Sequence, residues 1–159
     1  MKTFINAIIL GLFGAVAVTI SFLFQWQTWV LFLAWVSYYL FGKSIKNSIP
    51  ILIQIILGIV MGIAIQTSSK IFVDWFGSIG FQLAVFLFIG SLAFLTKIKG
   101  LNNIPAWFIG LIILFGAHPK IEIESMIVLL ITIVAGFTFA WLNDTSLKIV
   151  SKNISKINR

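Results

Sequence analysis

Apolar residues run through this chain in long stretches, broken by short groups in which Lys, Asn, Pro and Gly recur. The pattern has neither the alternation of a half-buried strand nor the single apolar stripe of a soluble helix, so the stretches read as helices in hydrocarbon. Six segments are predicted, near 4–24, 28–42, 49–66, 76–96, 104–117 and 123–143. The second and fifth are short: at 1.5 Å per residue they extend about 21 to 22 Å, against roughly 30 Å of bilayer hydrocarbon. The expected fold is all-α, a polytopic transmembrane bundle of about six spans. One transmembrane domain covers 1–143, and a basic tail covers 144–159.

Charge placement bears on whether the short segments cross. With six crossings and a cytoplasmic amino terminus, Lys2, Lys43, Lys46, Lys97, Lys99, Lys148, Lys152, Lys156 and Arg159 lie inside, and only Lys70 and Lys120 outside. If both short segments turned back, the bias would vanish. The positive-inside rule therefore favours six crossings with both termini cytoplasmic. Trp26, Trp29, Trp75, Trp107 and Trp141 fall near segment ends, where an indole suits the headgroup level. Met1 to Phe24 has some features of a signal peptide, but its apolar run continues past Ala15-Val16-Ala17 and reads as a retained span.

Composition agrees. The 159 residues are 60% hydrophobic and 9% charged, with a mean hydropathy of +1.13. The net charge of +7 reflects scarce acids, and the bases sit singly or in pairs between apolar runs. That spacing suits lipid headgroups and argues against nucleic acid. Without cysteine there is no disulfide, thiolate metal site or redox motif.

A shift of 74 residues aligns Leu40-Phe41-Gly42 with Leu114-Phe115-Gly116, Lys46 with Lys120, and Ile59-Val60-x-Gly62 with Ile133-Val134-x-Gly136. At the same shift Thr28 meets Asn102, both suited to cap a short helix. Two repeats are expected, about 4–66 and 76–143. Three spans per repeat would invert the second relative to the first, a plan that transporters use with a path near the midplane. Gly58 with Gly62 and Thr132 with Gly136 place small residues four apart on the two long helices. These are expected to let the long helices cross closely at the pseudo-two-fold axis.

No ionisable residue lies well inside the six segments, which disfavours a proton-coupled mechanism. Neutral polar and aromatic groups remain, and the candidate solute path comprises Thr28, Trp35, Tyr38, Tyr39, Gln54, Gln82, Asn102, Trp107, Phe108 and Thr132. Such groups serve water, urea, amides or polyols, and equally well bond neighbouring helices. His118, Lys120, Glu122 and Glu124 lack a metal-ligand spacing and read as a solvated loop. In the tail, Leu147, Val150, Ile154 and Ile157 oppose Lys148, Lys152 and Lys156, as in an amphipathic helix lying on an anionic leaflet.

Three stretches carry a family resemblance: Trp29 through Tyr39, Ile104-Pro105-Ala106-Trp107-Phe108-Ile109-Gly110, and Gly136 through Asn143. Together they resemble a small bacterial inner-membrane family, domain of unknown function 1097. Ala34 and Ala106 stand where that pattern expects glycine, which questions a close backbone approach there. The resemblance implies a bacterial cytoplasmic-membrane protein and brings no activity, cofactor or site residue with it.

The leading expectation is a small channel or facilitator for a neutral or weakly polar solute, homo-oligomeric and in contact with membrane lipids. Its rival is a non-conducting structural or regulatory subunit that binds a partner or lipid, with a solid apolar interior as its sign. No nucleophile, base and orienting group occur together in sequence, so an enzyme is not expected, and no cofactor or metal is.

Overall fold

A computed structural model of the protein describes the backbone of residues 2–157 and the side chains of residues 3–153. Among these the chain forms six α-helices, one 3-10 turn and no strand. The helices are α1 (Lys2–Leu23), α2 (Thr28–Leu40), α3 (Ile45–Phe76), α4 (Gly80–Leu95), α5 (Ile104–Ala117) and α6 (Ile123–Ile157), with the 3-10 turn at Gly77–Ile79. Three stretches are long and apolar enough to cross a bilayer, Thr3–Leu23, Ile45–Leu95 and Ile123–Asn153. Thr28–Leu40 and Ile104–Ala117 are shorter apolar helices.

Both long helices outrun their predicted ends. α3 passes 66 and continues through Lys70 and Asp74 to Phe76, and α6 passes 143 without a break. Neither extension contains Gly or Pro, and a helix already nucleated gains a hydrogen bond for each residue it adds. The tail thus continues α6 without a break; the side chains of Ile154, Lys156 and Ile157 lie outside the described residues. α3 stops at Gly77, whose φ of +65° suits glycine. A Cβ on Gly80 would overlap the backbone of Phe72 and Val73. In an unbroken helix residues 73 and 80 lie about 10 Å apart along the axis, so the chain has turned back.

Two units form. The first joins residues up to Ser48 with those from Glu124 onward and so contains α1, α2 and α6. The second runs from Ile49 to Ile123 and contains most of α3 with α4 and α5.

In the second unit Met61 and Ile65 from α3, Ala84 and Leu92 from α4, and Trp107 and Leu111 from α5 form the core. α3 and α5 touch backbone to backbone. A Cβ on Gly110 would overlap the Ile55 carbonyl oxygen and lie 2.8 Å from Gly58 Cα. One on Gly58 would overlap the Trp107 carbonyl oxygen. In the first unit α6 meets α2 in the same manner: a Cβ on Gly136 would overlap the Leu31 carbonyl oxygen and lie 2.7 Å from Ala34 Cβ. Trp35 stacks on Phe139 at 6.1 Å. α1 adds buried Ala17 and Ser21 and otherwise exposes large apolar side chains, among them Phe4, Ile8, Leu12 and Phe22.

The small positions therefore have different partners from those expected. Gly58 and Gly62 face α5, and Gly136 faces α2. Each long helix sets its glycines against a short helix: Gly58 and Gly136 meet a carbonyl beside a small residue, Trp107 with Gly110 and Leu31 with Ala34, and Gly62 meets the side chains of Leu111 and Leu114. Ala34 does not prevent the close approach, since the missing Cβ is on Gly136. Thr132 is buried, its hydroxyl donating to the Val128 carbonyl at 2.8 Å.

One buried register occurs in both units. Val30, Leu31, Ala34, Trp35, Ser37 and Tyr38 of α2 are buried, and so 76 positions later are Ala106, Trp107, Gly110, Leu111, Ile113 and Leu114 of α5. Ile51, Gln54, Ile55, Gly58, Ile59, Gly62 and Ile65 of α3 correspond at 78 positions to buried Leu129, Thr132, Ile133, Gly136, Phe137, Ala140 and Asn143 of α6. Gly136 takes the place of Gly58, where the shift of 74 had paired it with Gly62. Literal identity scores any apolar match, whereas burial records which helix face is packed.

Candidate functional site

The packed face of α6 carries Gly136, Ala140, Asn143 and Asp144, at steps of three and four that hold one face of a helix. Tyr38 and Tyr39 lie in the last turn of α2. These groups converge. Tyr39 Oη donates to Asn143 Oδ1 at 2.7 Å, and Tyr38 Oη donates to Asp144 Oδ2 at 3.1 Å. One turn further along α6, Lys148 pairs with Asp144. Beyond α2, Lys43 Nζ lies 5.1 Å from the centre of the Tyr39 ring. The two tyrosine rings meet edge to face at 5.5 Å.

Asn143 and Asp144 are 0% and 7% exposed, and Tyr38 is 2% exposed. A buried carboxylate is costly unless paired and hydrogen-bonded, and here a phenol and an ammonium both engage it. Asn143 is less complete: its oxygen accepts from Tyr39, while its buried Nδ2 has no partner. In the second unit the corresponding positions hold Leu114 and Phe115 on α5, and Ile65 and Gln66 on α3. That packing is made without a tyrosine pair or a carboxylate, so the architecture does not demand the polar cluster.

Asn143 and Asp144 were outside the candidate path. The sixth segment ends at 143 when read by hydropathy, which makes Asp144 the first residue of the basic tail. Continuing the Gly136 face by steps of three and four is the signal that finds both. The premise that ionisable groups stay away from the packed helices changes accordingly, since Asp144 is buried on α6.

Of the candidate path residues, Thr28, Trp35, Tyr38, Tyr39 and Thr132 belong to the first unit. Gln54, Gln82, Asn102, Trp107 and Phe108 belong to the second. Tyr38 and Tyr39 join the cluster. Thr28 Oγ1 is 2.7 Å from Ser21 Oγ and ties α1 to α2. The helix caps fall one residue from the expected Thr28 and Asn102. Gln27 is the N-cap residue of α2 and its side chain does not bond the first turn, whereas Asn103 caps α5, its Oδ1 accepting from Ala106 N at 3.1 Å. Buried Gln54 is occupied by this second cap, with Asn103 N donating to its Oε1 at 2.7 Å and its Nε2 donating to the Pro50 carbonyl at 3.1 Å.

Gln82 is exposed, and as a donor its amide reaches the Ser78 and Ile79 carbonyls at 3.0 and 3.2 Å. Asn102 and Phe108 are exposed. Trp107 belongs to the core of the second unit instead of a headgroup belt, its Nε1 donating to the Leu101 carbonyl at 3.1 Å. His118 is an exposed residue in the left-handed region at the end of α5. Among the described residues no group of three His, Cys, Asp or Glu comes together.

Elsewhere in the first unit a groove of about 410 Å³ runs along α6 beside the end of α1, lined by Ile20, Trp26, Leu130, Val134, Thr138 and Leu142 among others. The Thr138 hydroxyl is already given to the Val134 carbonyl at 2.8 Å. The groove suits hydrocarbon.

Long apolar helices with apolar outer faces define a helical membrane protein. Within that class, the chain belongs to the family described as protein of unknown function DUF1097, matched over residues 7–147. The matched stretch contains both short helices and the Tyr38–Asp144 cluster. No curated protein and no solved structure matches the chain.

Proposed function

We propose that the protein is a small facilitator of the bacterial cytoplasmic membrane, passing a neutral or weakly polar solute, and that the Tyr38–Tyr39–Asn143–Asp144 cluster handles that solute. The observation carrying this reading is the contrast between the units. A buried polar cluster with an unspent donor occupies one, where the other has Leu114, Phe115, Ile65 and Gln66. Buried polar groups that packing does not require are usually retained for function.

The proposed topology is six crossings with both termini cytoplasmic, from the nine inner and two outer bases. α1–α2–α3 and α4–α5–α6 are then two inverted repeats. The shared buried register supports this, and with it an exchange: each unit takes two helices from one repeat and its long helix from the other. The exposed apolar surface of α1 supports lipid contact and homo-oligomers.

A second reading, a non-conducting structural or regulatory subunit, is favoured by the backbone-to-backbone packing at Gly58, Gly110 and Gly136. Stopped-flow light scattering on proteoliposomes separates the two. A facilitator accelerates the flux of water, glycerol, urea or a small amide over that of empty liposomes. Correctly folded, inserted protein that accelerates none of them leaves the subunit reading.

A further inference from the structure

We propose that the Asn143 carboxamide is the solute-recognition group of the cluster, and that the solute class is small planar amides: ureas and primary carboxamides. This rests on the facilitator reading. A carboxamide offers two N–H donors and an oxygen with two lone pairs. In Asn143 the Tyr39 hydroxyl takes one lone pair at 2.7 Å, and nothing takes the donors. The unspent valences are thus two donors and one acceptor on a single planar group, and one of the donors lies on the same edge as the oxygen. A second amide complements them with two antiparallel N–H···O bonds in one plane. A polyol must hold two vicinal hydroxyls gauche to reach both groups, whereas an amide presents its donor and acceptor already fixed in one plane, and water matches one at a time.

The rest of the cluster fits this use. Asp144 is already engaged by Tyr38 and Lys148, which holds its charge in place and leaves Asn143 as the group with capacity to spare. Tyr39 is only half-buried and covers Asn143, with Lys43 over its ring. An entering amide bonds the Asn143 donor that Tyr39 leaves bare and the second lone pair of Oδ1 beside the Tyr39 hydroxyl. At the corresponding place in the second unit Ile65 is fully buried, so an apolar residue is compatible with this helix packing.

The test is stopped-flow flux of urea, acetamide and glycerol through proteoliposomes of the full chain, as wild type and as the Asn143→Leu, Asn143→Asp and Tyr39→Phe variants. Thermal unfolding in detergent checks that each variant is folded. The wild type is expected to accelerate urea and acetamide over glycerol. Asn143→Leu and Asn143→Asp both remove the donor and should lower amide flux about tenfold, as for loss of a solute hydrogen bond. Tyr39→Phe releases the Asn143 oxygen and should maintain or raise it, whereas a merely structural Tyr39 would lower it. Equal acceleration of glycerol, or amide flux unchanged in a folded Asn143 variant, overturns the assignment and leaves the facilitator reading standing. Acceleration of no solute overturns both.

Discussion

At the scale of single residues, the glycines of this chain differ in what a side chain would strike. A methyl group on Gly110 meets the Ile55 carbonyl and the Gly58 backbone, which cannot yield without separating α3 from α5. On Gly62 it meets the end of the Leu114 side chain, which can turn aside, and at Gly90 it meets open space. Thermal unfolding in detergent should therefore rank the alanine variants. Gly110→Ala costs about 3 kcal/mol and Gly62→Ala less than about 1 kcal/mol, and Gly90→Ala is neutral or stabilising by about 0.5 kcal/mol. A second residue-scale prediction concerns Gln54. Gln54→Leu strips the Asn103 backbone N–H of its acceptor and should cost about 1–3 kcal/mol. Both measurements separate packing from solute handling, since neither Gly110 nor Gln54 is in the Tyr38–Asp144 cluster.

At the scale of elements, the short helices were legible from sequence because Lys, Asn and Pro bound their apolar runs. Their caps were displaced by one residue, since Gln27 and Asn103 are as polar as Thr28 and Asn102 and only backbone geometry distinguishes them. The apolar segments stop short of the ends of α3 and α6 for a different reason. Lys70, Asp74, Asp144 and Lys148 end an apolar segment without ending a helix. Which side of the membrane these ends occupy is open to direct measurement. The chain has no cysteine, so single substitutions report cleanly. Cysteines replacing Lys43, Lys97 or Lys148 should react with an impermeant thiol reagent only from the cytoplasmic face, and those replacing Lys70 or Lys120 only from the opposite face. Labelling of positions 43 and 97 from opposite faces would exclude six crossings.

At the scale of the whole molecule, the proposed exchange of long helices makes each unit depend on both halves of the chain. Fragments 1–77 and 78–159, divided in the Gly77 turn, should each fail to fold alone. Co-expressed, they should purify together with the unfolding midpoint within a few degrees of the intact chain. A fragment that is monomeric, helical and cooperatively unfolding by itself would show that the halves do not exchange helices.

Sequence alone determined the solvent of this protein, its helical class and the approximate limits of its six apolar segments, because hydropathy and breaker residues act locally. It placed Tyr38 and Tyr39 among the candidate residues without their partners. The tertiary structure decided that Gly136 serves Leu31 and Ala34, that Gln54 is spent on the cap of α5, and that Asn143 and Asp144 close over the two tyrosines. Those choices join residues as many as 106 positions apart. They depend on which helix face packs against which neighbour, a property that nearly uniform apolar sequence does not encode locally.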